Sequence, residues 1–136
     1  MASAGGLQRS APALLAHGDR AVSVVSSLAR ELSVALLDLS DFAKSALSAA
    51  ERKKVVAIAK SMVRLVDALL RETRKASETS DAELAAHLKD VDGNLRLMRS
   101  LVRDFPSATD RKNVFEQVNQ RYAELVRGLT VVLAEA

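Results

Sequence analysis

The sequence contains no cysteine and no tryptophan, only two prolines and five glycines, and 3% aromatic residues. Without cysteine there is no disulfide scaffold, no thiolate-bound zinc, no iron–sulfur cluster and no thiol nucleophile. The absence also fits a reducing compartment. Two histidines leave little for a metal site. The shortage of Gly and Pro removes the turn residues that a many-stranded fold needs, and the shortage of aromatics removes side chains that strands favour. No apolar run approaches the ~18 residues of a membrane span. The first ten residues carry one arginine and lead only into the short Ala11–Ala16 stretch, so no secretory signal is expected.

What is present is helix chemistry: Ala, Leu, Arg, Lys and Glu are abundant. A length of 136 residues suits one domain, and 49% apolar with 27% charged residues gives both a core and a wettable surface. Twenty Lys and Arg stand against 17 Asp and Glu, for a net charge of +3. That excess is thinner than the basic stripe of a nucleic-acid binder, and no aromatics are interleaved for base stacking. No nucleic acid is expected among the partners.

Apolar and small residues recur at alternating spacings of four and three. The first helix is expected to start near Ser10 or Pro12, a capping residue and a first-turn residue respectively. Its seam runs Leu14, Gly18, Ala21, Val25, Leu28, Leu32, Ala35, Leu39, Phe42, Ala46, widened by Leu15, Val22, Ala29, Leu36 and Ala43. That predicts about 35 residues, or roughly 50 Å. Ser48-Ala49-Ala50-Glu51 reads as a capping box opening a second helix, with Val55, Ala59, Met62, Val66, Leu69, Thr73 and Ala76 on its seam. Val56, Val63 and Leu70 widen that face. Ser80-Asp81-Ala82-Glu83 reads as a second box, followed by Leu84, Leu88, Val91, Leu95, Met98, Val102 and Phe105. Pro106 stops this third helix, because proline disfavours helical geometry in the residue before it. Ser107 or Thr109 is expected to cap a fourth helix bearing Val114, Val118, Leu125, Leu129 and Val132, flanked by Phe115, Tyr122 and Leu133. Gly93 and Gly128, inside helices, are expected to mark close helix approach. The fold expected is all-α, an up-and-down four-helix bundle with an extended first helix. Residues 1–9 are expected to form a disordered leader and residues 10–136 the bundle.

Chemistry-bearing constellations are sparse. Lys89, Arg96, Arg99 and Arg103 form a basic row on the third helix, a candidate site for an anion or an acidic lipid surface. Asp90, Asp92 and Asp104 lie near it, so the same row also reads as a solvated face. Arg52-Lys53-Lys54 opposes the dipole at the start of the second helix. His87, with Lys89 two residues on, is compared with a histidine phosphotransfer site. Asp90 beside it would repel an incoming phosphoryl group, and a surface histidine is the plainer reading. His17 reads as structural or exposed. A di-metal bundle needs Glu-x-x-His motifs, and none occurs. No nucleophile–base constellation and no glycine-rich phosphate loop can be placed. No catalysis, metal or cofactor is expected.

Several less common tokens occur in a telling order. Leu14-Leu15-Ala16-His17-Gly18-Asp19-Arg20-Ala21 opens a long helix that Phe42-Ala43 closes. A basic stretch at Arg52 leads into Val55-Val56-Ala57-Ile58-Ala59 and then Val63, Leu65, Val66, Leu69 and Leu70. Phe105-Pro106 is followed by Arg111-Lys112-Asn113-Val114-Phe115. From about Leu14 to Val132 the chain resembles the vinculin/α-catenin family, most nearly the N-terminal helical region of α-catenin and α-catulin. Talin-like rod bundles are the competing resemblance.

The resemblance implies a non-enzymatic cell-adhesion or cytoskeletal adaptor, in the cytoplasm and at the cytoskeleton or cell junctions. Its implied partners are catenin-, cadherin- or actin-associated proteins, or a second copy of the chain. The family's carboxy-terminal actin-binding bundle has no counterpart in this sequence, so a link to actin is expected to run through partners. A partner helix would lay its apolar anchors against Val22, Val25, Leu28, Leu32 and Leu36 of the first helix. The same positions also suit ordinary core packing. The alternative is a basic-faced module on anionic membrane surfaces, through Lys89, Arg96, Arg99 and Arg103.

Overall fold

The structure, a computed structural model, describes residues 18–78 and 80–134. Among these are four α-helices and no strand: α1 (Gly18–Ser40), α2 (Ala49–Glu78), α3 (Ala82–Asp104) and α4 (Arg111–Ala134), with a 3₁₀ turn at Phe105–Ser107 before α4. The links between consecutive helices are short, which makes neighbours antiparallel. Both α2 against α3 and α3 against α4 pack along extensive interfaces, α1 rests chiefly on α2, and a thinner seam joins α1 to α4. The chain is an all-α helical bundle.

The core follows the four–three spacing. In α2 every seam residue, Val55, Ala59, Met62, Val66, Leu69, Thr73 and Ala76, is buried; so in α3 is every residue from Leu84 to Val102 on the same repeat, which Phe105 of the 3₁₀ turn continues. Thr73 is accommodated because its hydroxyl donates to the Leu70 carbonyl at 3.1 Å. From α1 and α4 come Val25, Leu32, Leu36, Leu39, Val118, Leu125 and Leu129. A smaller cluster of Ala76, Leu84, Leu88 and Val132 fills one end. On the thin α1–α4 seam the Tyr122 hydroxyl donates to the Ala29 carbonyl at 3.1 Å.

The helix ends show where local chemistry decides. The first capping box forms in both directions: Glu51 N–H donates to Ser48 Oγ at 3.1 Å and Ser48 N–H to Glu51 Oε1 at 2.9 Å. The second does not form. Asp81 is the cap, accepting from Leu84 N–H at 2.8 Å, while Ser80 turns back and donates to the Ser77 carbonyl at 3.1 Å. Serine and aspartate cap comparably well, the aspartate's charge also suits the positive end of the helix dipole, and the start moves by one residue. Likewise neither Ser107 nor Thr109 caps α4; Asp110 does, accepting from Asn113 N–H at 3.1 Å.

The first helix also differs from expectation. It ends at Ser40, where the side chain donates to the Leu37 carbonyl at 2.5 Å. Phe42 and Ala43 belong to the following turn, with Phe42 N–H donating to the Leu39 carbonyl at 3.0 Å. The described part of this helix runs 23 residues, from Gly18 to Ser40. The expected start at Ser10 or Pro12, the leader of residues 1–9 and His17 lie outside the described residues.

Among the described residues, one charged side chain is buried, and it is held by backbone carbonyls. Arg111, 5% exposed, donates from Nε to the Lys44 carbonyl at 3.1 Å and from Nη1 to the Ala108 carbonyl at 3.2 Å. The guanidinium fork ties the first turn of α4 to the link after α1. Close helix approach holds at Gly128, where a Cβ would sit 2.8 Å from Val91 Cγ2, but not at Gly93, where a Cβ would meet nothing within 4 Å.

The two glycines therefore respond oppositely to alanine. Gly93→Ala is expected to stabilise the fold by about 0.5–1 kcal/mol, the helix-propensity difference with no clash. Gly128→Ala is expected to destabilise it by about 1 kcal/mol net, because Val91 is buried and stiff and overpacking outweighs the propensity gain. Urea unfolding of the two variants measures both signs. A second expectation concerns Glu51, whose carboxyl is lowered from 4.5 to about 2, first by the Lys44 ammonium's hydrogen bond and then by the Ser48 amide. Since the folded group titrates below the unfolded one, its contribution is complete above 4.5 and is lost as pH falls through about 2. The melting-temperature gap between the chain and Glu51→Gln should shrink to nothing over that window.

Candidate functional site

The residues that follow the buried seam by one position lie at the flank where two helices meet. On α2 these are Asp67, Arg71 and Arg74, one place beyond Val66, Leu70 and Thr73. On α3 they are Arg96, Arg99 and Arg103, one place beyond Leu95, Met98 and Val102. Antiparallel packing turns the two flanks toward one another. The result is an open trough of about 470 Å³ lined by Asp67, Leu70, Arg71, Arg74, Arg96, Arg99, Ser100 and Arg103. Five arginines thus share one recess with a single aspartate in its lining.

The trough is partly neutralised from within. Arg99 Nε donates to Asp67 Oδ1 at 2.8 Å across the two helices. Arg96 Nε donates to Asp92 Oδ2 at 2.7 Å, and Arg74 Nε stands 3.7 Å from the buried Asp92 Oδ1. Arg103 reaches Ser100 and Asp104. Arg71 has no carboxylate partner among the described residues. Three carboxylates, Asp67, Asp92 and Asp104, against five guanidinium groups leave an excess of positive charge. Arginine holds this charge at any physiological pH and presents a planar fork that fits carboxylate and phosphate oxygens. Side chains of Arg74, Arg96 and Arg103 remain more than half exposed, so their donors are open to a ligand.

Two further hollows continue the trough. At one end Thr73, Arg74, Ser77, Ala85, Leu88, Lys89 and Asp92 line about 370 Å³. At the other, Val56, Ala59, Lys60, Val63, Arg64, Arg103 and Pro106 line about 460 Å³. Arg74 belongs to both the trough and the first hollow, and Arg103 to both the trough and the second.

Of the basic row read from the sequence, Arg96, Arg99 and Arg103 come together in the trough and Lys89 in the adjoining hollow. Sequence reasoning missed Arg71 and Arg74, which share the α2 flank at three-residue spacing. The apolar candidates of the first helix lie inward. Val25, Leu32 and Leu36 are buried in the core, Leu28 packs against it half-buried, and Val22 packs against the end cluster. A partner reaching them has to displace a helix of the bundle. The outward apolar residues of α1 are instead Val34 and Leu37, 57% and 71% exposed. Arg52, Lys53 and Lys54 are exposed and His87 is half-buried. No helix among the described residues is long and apolar enough to cross a membrane.

No protein-family model, curated protein or solved structure matches the chain.

The Arg99–Asp67 pair is half-exposed, and such pairs contribute little. Arg99→Gln is therefore expected to change unfolding free energy by less than ~1 kcal/mol. Chemical denaturation checks this; a larger loss would mean that the pair holds α2 and α3 together.

Proposed function

We propose that the chain is a non-enzymatic adaptor module of the adhesion and cytoskeletal kind that its sequence resembles, and that it engages its partner at the arginine trough between α2 and α3. The observation that carries this reading is the concentration of five arginines in one recess whose lining holds one aspartate. Charge at this density repels itself, and an anionic partner relieves the repulsion while gaining charge-assisted hydrogen bonds. The partner is a protein, of the cadherin–catenin or actin-associated assemblies by resemblance, and the setting is cytoplasmic. This surface needs no opening of the bundle, whereas the buried seam of α1 does.

A second reading rests on the exposed Lys89, Arg96 and Arg103 of α3, which offer cations to an anionic bilayer. Flotation with phosphatidylserine vesicles separates the two.

Titration with polyglutamate tests the leading reading. Saturable binding is expected, weakened by salt as screening requires, and it raises the melting temperature because the ligand binds only the folded chain. A triple variant, Arg71→Gln, Arg96→Gln and Arg103→Gln, should lose at least tenfold in affinity while keeping its helical circular dichroism. Equal binding by the variant would refute the trough as the site.

A further inference from the structure

The three hollows form one groove, joined at Arg74 and Arg103, and its chemistry changes along its length. The trough is cationic, whereas the hollow beyond Arg103 adds an apolar patch of Val56, Ala59, Val63 and Pro106 beside Lys60 and Arg64. We infer that the groove holds a single acidic peptide segment, with its carboxylates at the trough and one bulky apolar side chain seated between Val56, Val63 and Pro106. This rests on the reading of the trough as an anion site and adds the identity of its occupant.

Three observations favour a peptide. First, from Val56 to Ser77 the groove follows α2 for about 30 Å at 1.5 Å per residue. A free phosphate or one lipid headgroup fills only part of that length, while a chain molecule spans it. Second, the arginines line a recess between two helices and Asp67 and Asp92 stand among them, an arrangement that penalises a uniform sheet of negative charge and admits a ligand whose anionic groups are spaced. Third, none of the three hollows has an aromatic residue in its lining, so a polynucleotide finds nothing to stack on. Charge complementarity sets the peptide's sign, and the apolar hollow sets its anchor.

The geometry also fixes a spacing. The centre of the apolar hollow, near Lys60, and the centre of the trough, near Leu70, are about 15 Å apart along α2. A helical ligand covers that in about ten residues and an extended one in four or five. Arg103, in the lining of both recesses, stands at the junction where the anchor gives way to the acidic stretch.

The test uses the whole chain and two labelled peptides, read by fluorescence anisotropy. Both carry a glutamate cluster; one has a leucine about ten residues away, with a helix-favouring spacer, and the other has serine there. The leucine peptide is expected to bind about tenfold more tightly, the effect of burying one such side chain. Val56→Gln should remove most of that advantage and leave the serine peptide's affinity unchanged. If both peptides bind equally, and the Arg71, Arg96 and Arg103 triple variant weakens both, the trough stands and the anchored peptide falls. If neither binds, both readings fall. Phosphatidylserine vesicles or a single-stranded oligonucleotide that bind at the trough and are not displaced by the leucine peptide would also overturn the inference.

Discussion

The three residues between Glu78 and Ala82 set the geometry on which the rest depends. So short a link leaves α3 no option but to run back along α2. Once the pair is antiparallel, the buried seams Val55 to Ala76 and Leu84 to Phe105 face the same core, and the flanking positions meet beside it. The trough is a by-product of that register. A longer link would permit other neighbours and would scatter Arg71, Arg74, Arg96, Arg99 and Arg103 over separate faces.

Stability and recognition are carried by different atoms. Burial of the seams dominates the fold, since each apolar side chain removed from water contributes about 1.5–3 kcal/mol and a half-exposed ion pair under ~1 kcal/mol. The guanidinium groups of the trough are thus close to dispensable for folding, although they crowd one another. Arg111 is the contrast. It is buried, it satisfies the backbone carbonyls of Lys44 and Ala108, and its role is architectural. Two arginines a short distance apart in sequence space can serve opposite ends, and burial tells them apart.

Much of the bundle was legible because a four–three repeat records burial directly. All seven seam positions read for the second helix, Val55, Ala59, Met62, Val66, Leu69, Thr73 and Ala76, are buried. Helix ends were less legible, because several neighbouring residues can cap. Ser80 and Asp81 compete for one helix start, as Thr109 and Asp110 do for another, and only geometry picks the carboxylate. The end of α1 was overread because small residues such as Ala43 and Ala46 extend a pattern without committing the backbone. Half of the trough was visible as the α3 row. Arg71 and Arg74 were not joined to it, because periodicity relates residues within a helix and is silent about which flank of another helix lies opposite. Gly93 and Gly128 looked alike for the same reason.

The thin α1–α4 seam bears on the order of assembly. The α2–α3 hairpin closes a minimal loop, so its entropic barrier is low. The bond from Tyr122 to Ala29 spans 93 residues and the one from Arg111 to Lys44 spans 67. Those long closures cost more chain entropy than the short hairpin link does. The groove is therefore built on the two helices joined by the shortest link among the described helices. The lining of the groove comes from α2, α3 and Pro106 alone, so none of its walls lies on the thin α1–α4 seam.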